Sequence, residues 1–484
     1  MSSGDRLTGL DSSFLHLEDG PAHMHVASTT VFEGPAPDIE DFREHLHSRL
    51  HLVPRFRQKL KFVPLGQGRP IWIDDPQFNL GYHVRNTALP EPGSEQQLRT
   101  LAARIFSQRL DRTKPMWEMW LVDGLEGGRF AIVAKTHHCL VDGVSGVDIT
   151  TVLFDAAPDT PTLEPEPWVA GPEPSDAEML GRALIERAVT PAEAIRGARA
   201  VFRRPRKVAR LVVDGLESVG ALARAGVAAP DSPFNVEISP YRRFEWVHSD
   251  LAELKRIKNT VGGTVNDVVV AAVAGALGRF LRARGHATAD LELKAMVPIS
   301  VRLADQHGDL GNKVSAMYAT LPVGIEDPAE RLRAVSAGMG DLKESKQAVG
   351  ASLLTELADF APPTILGQAG RLQSRQRFFN MVVTNVPGPQ FPLFLMGHAL
   401  QAIYPMVPLA KRQVVCFGIM SYNGQVNFGL IGDYDAMADL DALAHDLSES
   451  LSELAELAPA PKASSASNGK PKGRKASRSV SKPK

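Results

Sequence analysis

Apolar and polar positions alternate in some stretches of this chain and repeat at helical spacing in others. Strands are predicted where the alternation has a period of two, over 25–32, 117–122, 129–136 and 426–433. Amphipathic helices are predicted where apolar residues recur every third or fourth position, over 95–110, 265–277 and 440–457. The two patterns occur in both halves of the chain, so the sequence predicts an α/β protein.

Turn and cap residues set several expected boundaries. Asn423-Gly424 between two apolar runs indicates a hairpin, and a glycine-rich stretch joins the strands over 117–122 and 129–136 in the same way. Ser249 and Thr264 are each placed to cap a helix. Residues 81–85 are expected to form a short strand-like piece.

The strand predicted over 129–136 ends at two adjacent histidines, His137 and His138, and Asp142 and Gly143 follow. If the strand continues through position 138, its period of two turns the two imidazoles to opposite faces, so they have different roles. A neutral histidine can take a proton from a hydroxyl as the oxygen attacks an acyl carbon. The spacing alone leaves a second interpretation equally open, in which both histidines are buried and hydrogen-bonded at a strand end.

Other chemistries fit the sequence less well. Cys139 is the one nucleophile near the histidines, but alternation turns it away from His138, and no G-x-S-x-G elbow accompanies it. His47 and His51 have the spacing of a zinc site, but Ser48 stands where a zinc protease has glutamate. We therefore expect no metal site.

Composition and charge exclude some classes of protein. The 484 residues carry a formal net charge of −1, but the tail from 461 holds eight Lys/Arg and no acid, which leaves −9 on the body (46 basic against 55 acidic residues). A nucleic-acid partner is therefore not expected. Two cysteines suit a reducing cytosol, and the first twenty residues lack the apolar core of a signal peptide. The longest apolar run, 268–278, is about half of a membrane span, so membrane contact is expected to be peripheral.

The chain is predicted to divide into four parts: a first half over 1–157, a linker over 158–240, a second half over 241–460 and a disordered basic tail over 461–484. Prolines crowd the start of the linker, and a basic amphipathic helix is predicted over 193–226. Such a helix either lies on an anionic membrane or lipid-droplet surface, or packs on the body with a solvated arginine face.

His-His-x-x-x-Asp-Gly over 137–143 resembles the signature of the CoA-dependent acyltransferases and peptide-synthetase condensation domains. Four further motifs occur in the order that one family within that group has. They are Leu10-Asp11-Ser12-Ser13-Phe14-Leu15 with Met24-His25-Val26, Pro115-Met116-Trp117-Glu118, Asn266-Asp267, and Asn385-Val386-Pro387-Gly388-Pro389. By this ordered set, the chain resembles the bacterial wax ester synthase/acyl-CoA:diacylglycerol acyltransferases, which include the actinobacterial triacylglycerol synthases.

The resemblance implies two chloramphenicol-acetyltransferase-like α/β domains that meet over a central tunnel, with His138 at its middle. It implies direct transfer of a long-chain acyl group from acyl-CoA, as substrate and with no cofactor, to diacylglycerol or a fatty alcohol. His138 would be the general base, Asp142 would hold the loop, Gly143 would leave room for the thioester, and His137 would support the strand. A cytoplasmic enzyme at the membrane or lipid-droplet surface is expected.

The resemblance also implies residues on the substrate side of the site. They are Pro115, Trp117, Asn266, Asp267, Asn385 and Arg302. Asn266 and Asn385 are candidate oxyanion donors, and Arg302 is one candidate partner for Asp142. From the residues alone, Asn266 and Asp267 are ordinary first-turn residues of a helix, and Pro115 and Trp117 are packing residues.

Three alternative functions stay open at this point. The donor could be a carrier-protein thioester and the acceptor a polyketide alcohol or an amine. The chain could be a non-catalytic protein that coats lipid droplets. A lipid hydrolase is the third alternative, although no nucleophile elbow supports it.

Overall fold

The computed structural model describes residues 6–66, 68–141, 153–161, 163–185, 229–300, 314–344 and 379–459. The strands in these ranges are β1 (His25–Phe32), β2 (Gln58–Lys61), β3 (Ile71–Asp74), β4 (Val84–Ala88), β5 (Trp117–Leu125), β6 (Arg129–His137), β7 (Arg242–Asp250), β8 (Glu292–Ser300), β9 (Val314–Pro322), β10 (Met381–Pro387), β11 (Phe394–Leu395), β12 (His398–Met406), β13 (Val415–Tyr422) and β14 (Gln425–Asp433). The α-helices are α1 (Gly9–Leu17), α2 (Ile39–Arg49), α3 (Leu80–His83), α4 (Glu95–Ser107), α5 (His138–Val141), α6 (Leu251–Val261), α7 (Val265–Ala283), α8 (Pro328–Glu344) and α9 (Leu440–Glu456).

Two six-stranded sheets organise the protein. The first has the order β11-β12-β1-β6-β5-β4, and the second has the order β7-β14-β13-β10-β8-β9. β12 comes late in the chain, yet it pairs antiparallel with β1, with Ala27 opposite Met406. The second half of the chain therefore completes the sheet that the first half begins.

Helix α7 is the centre of the larger hydrophobic core. Thr264 caps it, and Asp267 completes a capping box by accepting from the Thr264 backbone nitrogen. The residues from Val268 to Leu277 are buried on every side of the helix, as a helix packed between other layers requires. Helix α9 lies against it with a leucine stripe that includes Leu443 and Leu447.

The predicted hairpins are confirmed. β5 and β6 pair antiparallel with Trp117 opposite Thr136. Asn423 and Gly424 join β13 to β14, and both have positive φ, 42° and 85°, which a two-residue turn matched to the strand twist requires. The predicted strands over 25–32 and 426–433 and the cap at Thr264 are also confirmed.

Several local predictions were wrong. Residues 80–83 form helix α3, because Asn79 caps a helical turn there, and the strand starts only at Val84. The cap of α6 is Asp250 and not Ser249, because β7 continues to Asp250. No helix was predicted for the opening segment, which holds helix α1, whose cap Thr8 accepts from the Asp11 backbone nitrogen.

Some predictions concern parts of the chain outside the described residues. These are the roles of Asp142, Gly143 and Arg302, the basic helix over 193–226 and the tail over 461–484. The domain boundaries stay predictions. No single helix in the described ranges is long and apolar enough to cross a membrane; α6 and α7 satisfy those criteria only taken together, and they meet at 95°.

Candidate active site

Two backbone hydrogen bonds hold the histidine pair in place. The His137 nitrogen donates to the Met116 carbonyl at 2.9 Å, and the His138 nitrogen donates to the Met24 carbonyl at 2.8 Å. Two segments that resemble family motifs, at 24–26 and 115–118, therefore flank the pair on either side. Strand β6 ends at His137 and helix α5 starts at His138. The strand therefore does not continue through position 138, which was the condition for the prediction from alternation.

The His138 ring is half-buried and stacks on Phe14 of α1. The two ring centroids lie 3.9 Å apart, with 20° between the ring planes. This contact limits how the imidazole can rotate, because leaving the stack would give up an aromatic contact. Phe14 was singled out only as part of a motif, and sequence reasoning assigned it no role.

The His137 ring is buried, with 1% of its surface exposed. Its Nδ1 accepts from the Cys139 backbone nitrogen at 3.2 Å, and its Nε2 lies 3.3 Å from a carboxylate oxygen of Glu18. Because Nδ1 accepts from a backbone N–H, the ring proton lies on Nε2, which faces Glu18. The buried ring thus packs at the end of β6, and the predicted role of His137 in supporting the strand stays a prediction. Cys139 has its Sγ 3.0 Å from His137 Nδ1 but is fully buried, and it is this burial that argues against a covalent acyl-enzyme at the thiol.

Glu18 is the buried acid at the centre of this region. Its Oε1 accepts from the Met24 backbone nitrogen at 2.9 Å and lies 3.5 Å from His25 Nε2, while Oε2 pairs with Arg112. Burial alone would raise the pKa of the Glu18 carboxyl. The contacts with His137, Arg112 and Met24 outweigh burial and hold that pKa well below its usual range.

Two more histidines lie beside Glu18. Burial, together with the positive charges of Arg109 and Arg242, lowers the pKa of His23 to about 4. Burial and the charge of Lys135 lower the pKa of His25 well below its ordinary value. Both rings are therefore neutral near pH 7.

Lys135 of β6 lies under the same end of the sheet, with 1% of its surface exposed. Its Nζ is 2.7 Å from Glu118 Oε1 and donates to the carbonyls of Ile105 and Gln108 at 2.7 and 2.8 Å. Burial lowers the pKa of this lysine. Glu118 of the Pro-Met-Trp-Glu motif therefore takes part in a buried ion pair, which the sequence did not indicate.

Trp117 is mainly a packing residue. It is 2% exposed, donates from Nε1 to the Phe56 carbonyl at 2.8 Å and stacks on His83 with ring centroids 4.6 Å apart. Pro115 and Trp117 also line a cavity of ≈ 200 Å³ with Tyr82 and Arg109. The predicted role of Pro115 and Trp117 on the substrate side stays a prediction.

Asn266, Asp267 and Asn385 come together at the start of α7. The Asn385 Nδ2 donates to the Asn266 Oδ1 at 3.2 Å, and both residues are half-buried. Asp267 is 3% exposed; its Oδ2 accepts from the Thr264 backbone nitrogen at 2.8 Å and from the Ser336 hydroxyl at 3.4 Å. One oxygen of Asp267 is therefore engaged in capping and packing, and the predicted place of all three residues on the substrate side stays a prediction.

Sequence reasoning missed the Glu18 contacts and the Lys135–Glu118 pair. The sequence indicated no role for Glu18, since its partners are distant in the chain. The described part of the chain holds no group of three or more His, Cys, Asp or Glu side chains arranged to bind a metal ion.

Comparison with known proteins confirms the family resemblance. The family model for the wax ester synthase/diacylglycerol acyltransferase catalytic domain matches residues 7–269, and the model for the C-terminal domain matches residues 310–455. The probable diacylglycerol O-acyltransferase tgs1 of Mycobacterium tuberculosis is 34% identical over 455 residues, which cover 93% of this chain and 96% of that protein.

Solved structures confirm the expected fold of two sheet-rich α/β domains. The wax ester synthase/diacylglycerol acyltransferase of Marinobacter aquaeolei VT8 matches with a TM-score of 0.65 and 27% identity, over 94% of this chain and 99% of that one. The starter condensation domain of rhizomide synthetase, solved with C8-CoA and Leu-SNAC, matches with a TM-score of 0.52 and 13% identity over 94% of each chain. The chain belongs to the wax ester synthase/diacylglycerol acyltransferase family and is an acyltransferase.

Proposed function

We propose that this acyltransferase moves a long-chain acyl group from acyl-CoA to the hydroxyl of diacylglycerol and so forms triacylglycerol, with fatty alcohols as a second acceptor class that gives wax esters. The observation that carries the proposal is the half-buried His138 ring, stacked on Phe14 at the end of β6 and held through its backbone by Met24. The relatives named diacylglycerol O-acyltransferases support the acceptor.

The proposed reaction needs no covalent enzyme intermediate. His138 takes the proton of the acceptor hydroxyl as that oxygen attacks the thioester carbonyl carbon. When the tetrahedral intermediate collapses, the carbon–sulfur bond breaks and the imidazolium returns the proton to the CoA sulfur. The free thiol and the ester are the products, so the histidine ends as it began.

The developing oxyanion needs hydrogen-bond donors. We place Asn266 and Asn385 in this role, because each amide nitrogen retains at least one hydrogen beyond the bond that joins the two side chains. One such donor is often worth about 3 kcal/mol to the transition state. Three further residues complete the proposal: Asp142 holds the loop, Arg302 is the partner of Asp142, and Gly143 leaves space for the thioester.

We also propose that the enzyme works in the cytoplasm at an anionic membrane or lipid-droplet surface. Helical residues 176–185 pack through Met179 against Ile71 and Ile73. Leu184 and Ile185 at the end of this piece are 57% and 63% exposed, and they directly precede the segment whose sequence is rich in arginine. Exposed aliphatic side chains beside positive charge fit an anionic lipid surface.

Vesicle binding tests this location. Co-sedimentation with vesicles of mixed anionic and neutral phospholipid should fall severalfold in the double variant Leu184→Asp/Ile185→Asp. The control is Val236→Asp, which adds one charge at an exposed apolar position elsewhere and should bind like wild type. Equal binding by all three proteins would refute the proposed surface.

Product analysis tests the reaction itself. Purified protein is incubated with labelled acyl-CoA and, separately, diacylglycerol or a fatty alcohol, and the labelled lipids are separated. We expect labelled triacylglycerol and wax ester from wild type and neither from His138→Ala, whose thermal unfolding should match wild type. Near-normal turnover by His138→Ala would remove the mechanism. Release of labelled free acid would indicate a hydrolase. Transfer from a carrier-protein thioester but not from acyl-CoA would show that the carrier-protein thioester is the donor.

A further inference from the structure

Glu18 is a buried acid for which the proposed reaction has no direct use. Glu18 directly follows α1, and its side chain is 7% exposed. The carboxyl is nevertheless ionised, because its pKa is held well below the usual range. Ionised carboxylates are buried at a considerable cost in free energy unless their contacts compensate for lost hydration. The particular contacts of this carboxylate therefore indicate its role.

The contacts of Glu18 lead to His138 by two routes. Its Oε1 lies 3.3 Å from the Nε2 of His137, the residue next to His138. The same oxygen accepts from the backbone nitrogen of Met24, and the carbonyl of Met24 in turn accepts from the backbone nitrogen of His138. One carboxylate oxygen thus contacts the ring before His138 and also binds the peptide that holds His138.

The other carboxylate oxygen adds a third route. Oε2 pairs with Arg112, and Arg112 also donates to the Leu15 carbonyl at 3.2 Å, in the last turns of α1. Helix α1 carries Phe14, on which the His138 ring stacks. The backbone and the stacking partner of His138 are thus both tied to a single side chain.

We propose that Glu18 is a positioning residue for acyl transfer, which keeps His138 oriented through His137, Met24 and Arg112. The inference rests on the proposed role of His138 as the base. A carboxylate is required because both of its oxygens accept hydrogen bonds, whereas a glutamine in its place would turn its NH₂ group either toward Arg112 or toward the Met24 nitrogen and His137. Displacing a reacting group by about 1 Å can cost about a hundredfold in rate.

The test compares Glu18→Gln with Glu245→Gln. Glu245 lies in the second sheet and pairs with Arg99 at 2.8 Å with 12% of its side chain exposed, so its variant also loses a largely buried ion pair. We expect Glu18→Gln to lower kcat about tenfold or more with KM changed less than threefold, measured well below its melting temperature. Glu245→Gln should lower the melting temperature and leave kcat within twofold of wild type.

A kcat of Glu18→Gln within twofold of wild type, or a loss of melting temperature alone, would overturn the proposal. If the glutamine variant does not fold, Glu18→Asp takes its place, because it keeps the charge but shortens the reach to Met24 and His137. The same kcat loss is expected from it.

A second measurement separates this inference from the proposed function. In ¹⁵N-histidine NMR spectra at pH 7, wild type should show His137 protonated at Nε2, and Glu18→Gln should shift the ring signals of both His137 and His138. Unchanged ring signals would overturn the role of Glu18, even if ester formation is confirmed. Shifted signals together with no ester from wild type would instead support the positioning role and reject the reaction.

Discussion

Asn385 donates from its side-chain nitrogen to the side-chain oxygen of Asn266 at 3.2 Å, which joins the end of β10 to the first turn of α7. The two asparagines are 119 positions apart in the chain and belong to different motifs. Their contact gives a physical reason for considering the two motifs as one site. Each amide group also holds the other in a fixed orientation, as an oxyanion donor requires.

A double-mutant cycle tests this pairing. Asn266→Ala and Asn385→Ala should each lower the free energy of unfolding, and the double variant should lose about 0.5–1.5 kcal/mol less than the sum of the two, because the shared hydrogen bond is lost only once. Urea denaturation of the four proteins measures this coupling. Strict additivity within error would show that the two side chains do not interact in solution.

The stack between Phe14 and His138 predicts a loss of rate without a loss of fold. Phe14→Leu keeps an apolar side chain but removes the ring, and an aromatic pair is worth about 0.5–1.5 kcal/mol. We therefore expect kcat to fall about two- to tenfold. Steady-state kinetics with acyl-CoA measure it. Phe14→Tyr, which retains the ring, should stay within twofold of wild type, and equal losses in both variants would contradict the stacking role.

The buried pair of Lys135 and Glu118 predicts a large effect on stability. Lys135→Met leaves the Glu118 carboxylate without the amine 2.7 Å away and leaves two carbonyls without a donor. Breaking a buried pair on one side costs about 3–5 kcal/mol, and Arg85, 3.5 Å from Glu118, should keep the loss near the lower value. Urea denaturation measures the change.

The control for this prediction is Lys135→Met/Glu118→Gln. Removing both charges leaves no buried unpaired charge, so the double variant should be more stable than Lys135→Met. A double variant that loses the sum of both single losses would show that the attraction between the two charges contributes little.

The lowered pKa of His23 predicts a stability that depends on pH. In the folded protein this ring stays neutral down to about pH 4, whereas in the unfolded chain it takes a proton near its ordinary value of 6.5. Between these values the unfolded state binds more protons, so the free energy of unfolding should fall as pH decreases from 6.5 towards 4. Denaturant titrations at pH 7.5, 6 and 5 measure the slope.

His23→Asn serves as the comparison for the pH slope. Its side-chain oxygen can replace the His23 Nδ1 that accepts from Arg109 at 3.1 Å, and asparagine does not titrate. The slope between pH 7.5 and 5 should therefore be smaller than in wild type. His25 contributes in the same direction, because its pKa is also lowered, so part of the slope should remain. An unchanged slope in His23→Asn would contradict the prediction.

The sequence by itself determined the local elements and the position of the chemistry. Alternation predicted β1, β5 and β6, the pair Asn423-Gly424 predicted a hairpin turn, and Thr264 predicted a helix cap, because each depends on residues that are neighbours in the chain. The motif at 137–143 and the ordered motifs around it indicated the family. These signals are local, so one sequence is enough to recognise them.

Only the tertiary structure decided which residues that are distant in the chain come into contact. Three features join residues that are far apart in the chain. They are the insertion of β12 beside β1, the contacts of Glu18 with His137 and Arg112, and the bond between Asn385 and Asn266. No periodicity records such pairs, because they depend on how the sheets and helices pack once formed. A buried carboxylate and a solvated one have the same letter in the sequence, and only packing decides whether the charge must be balanced by its neighbours.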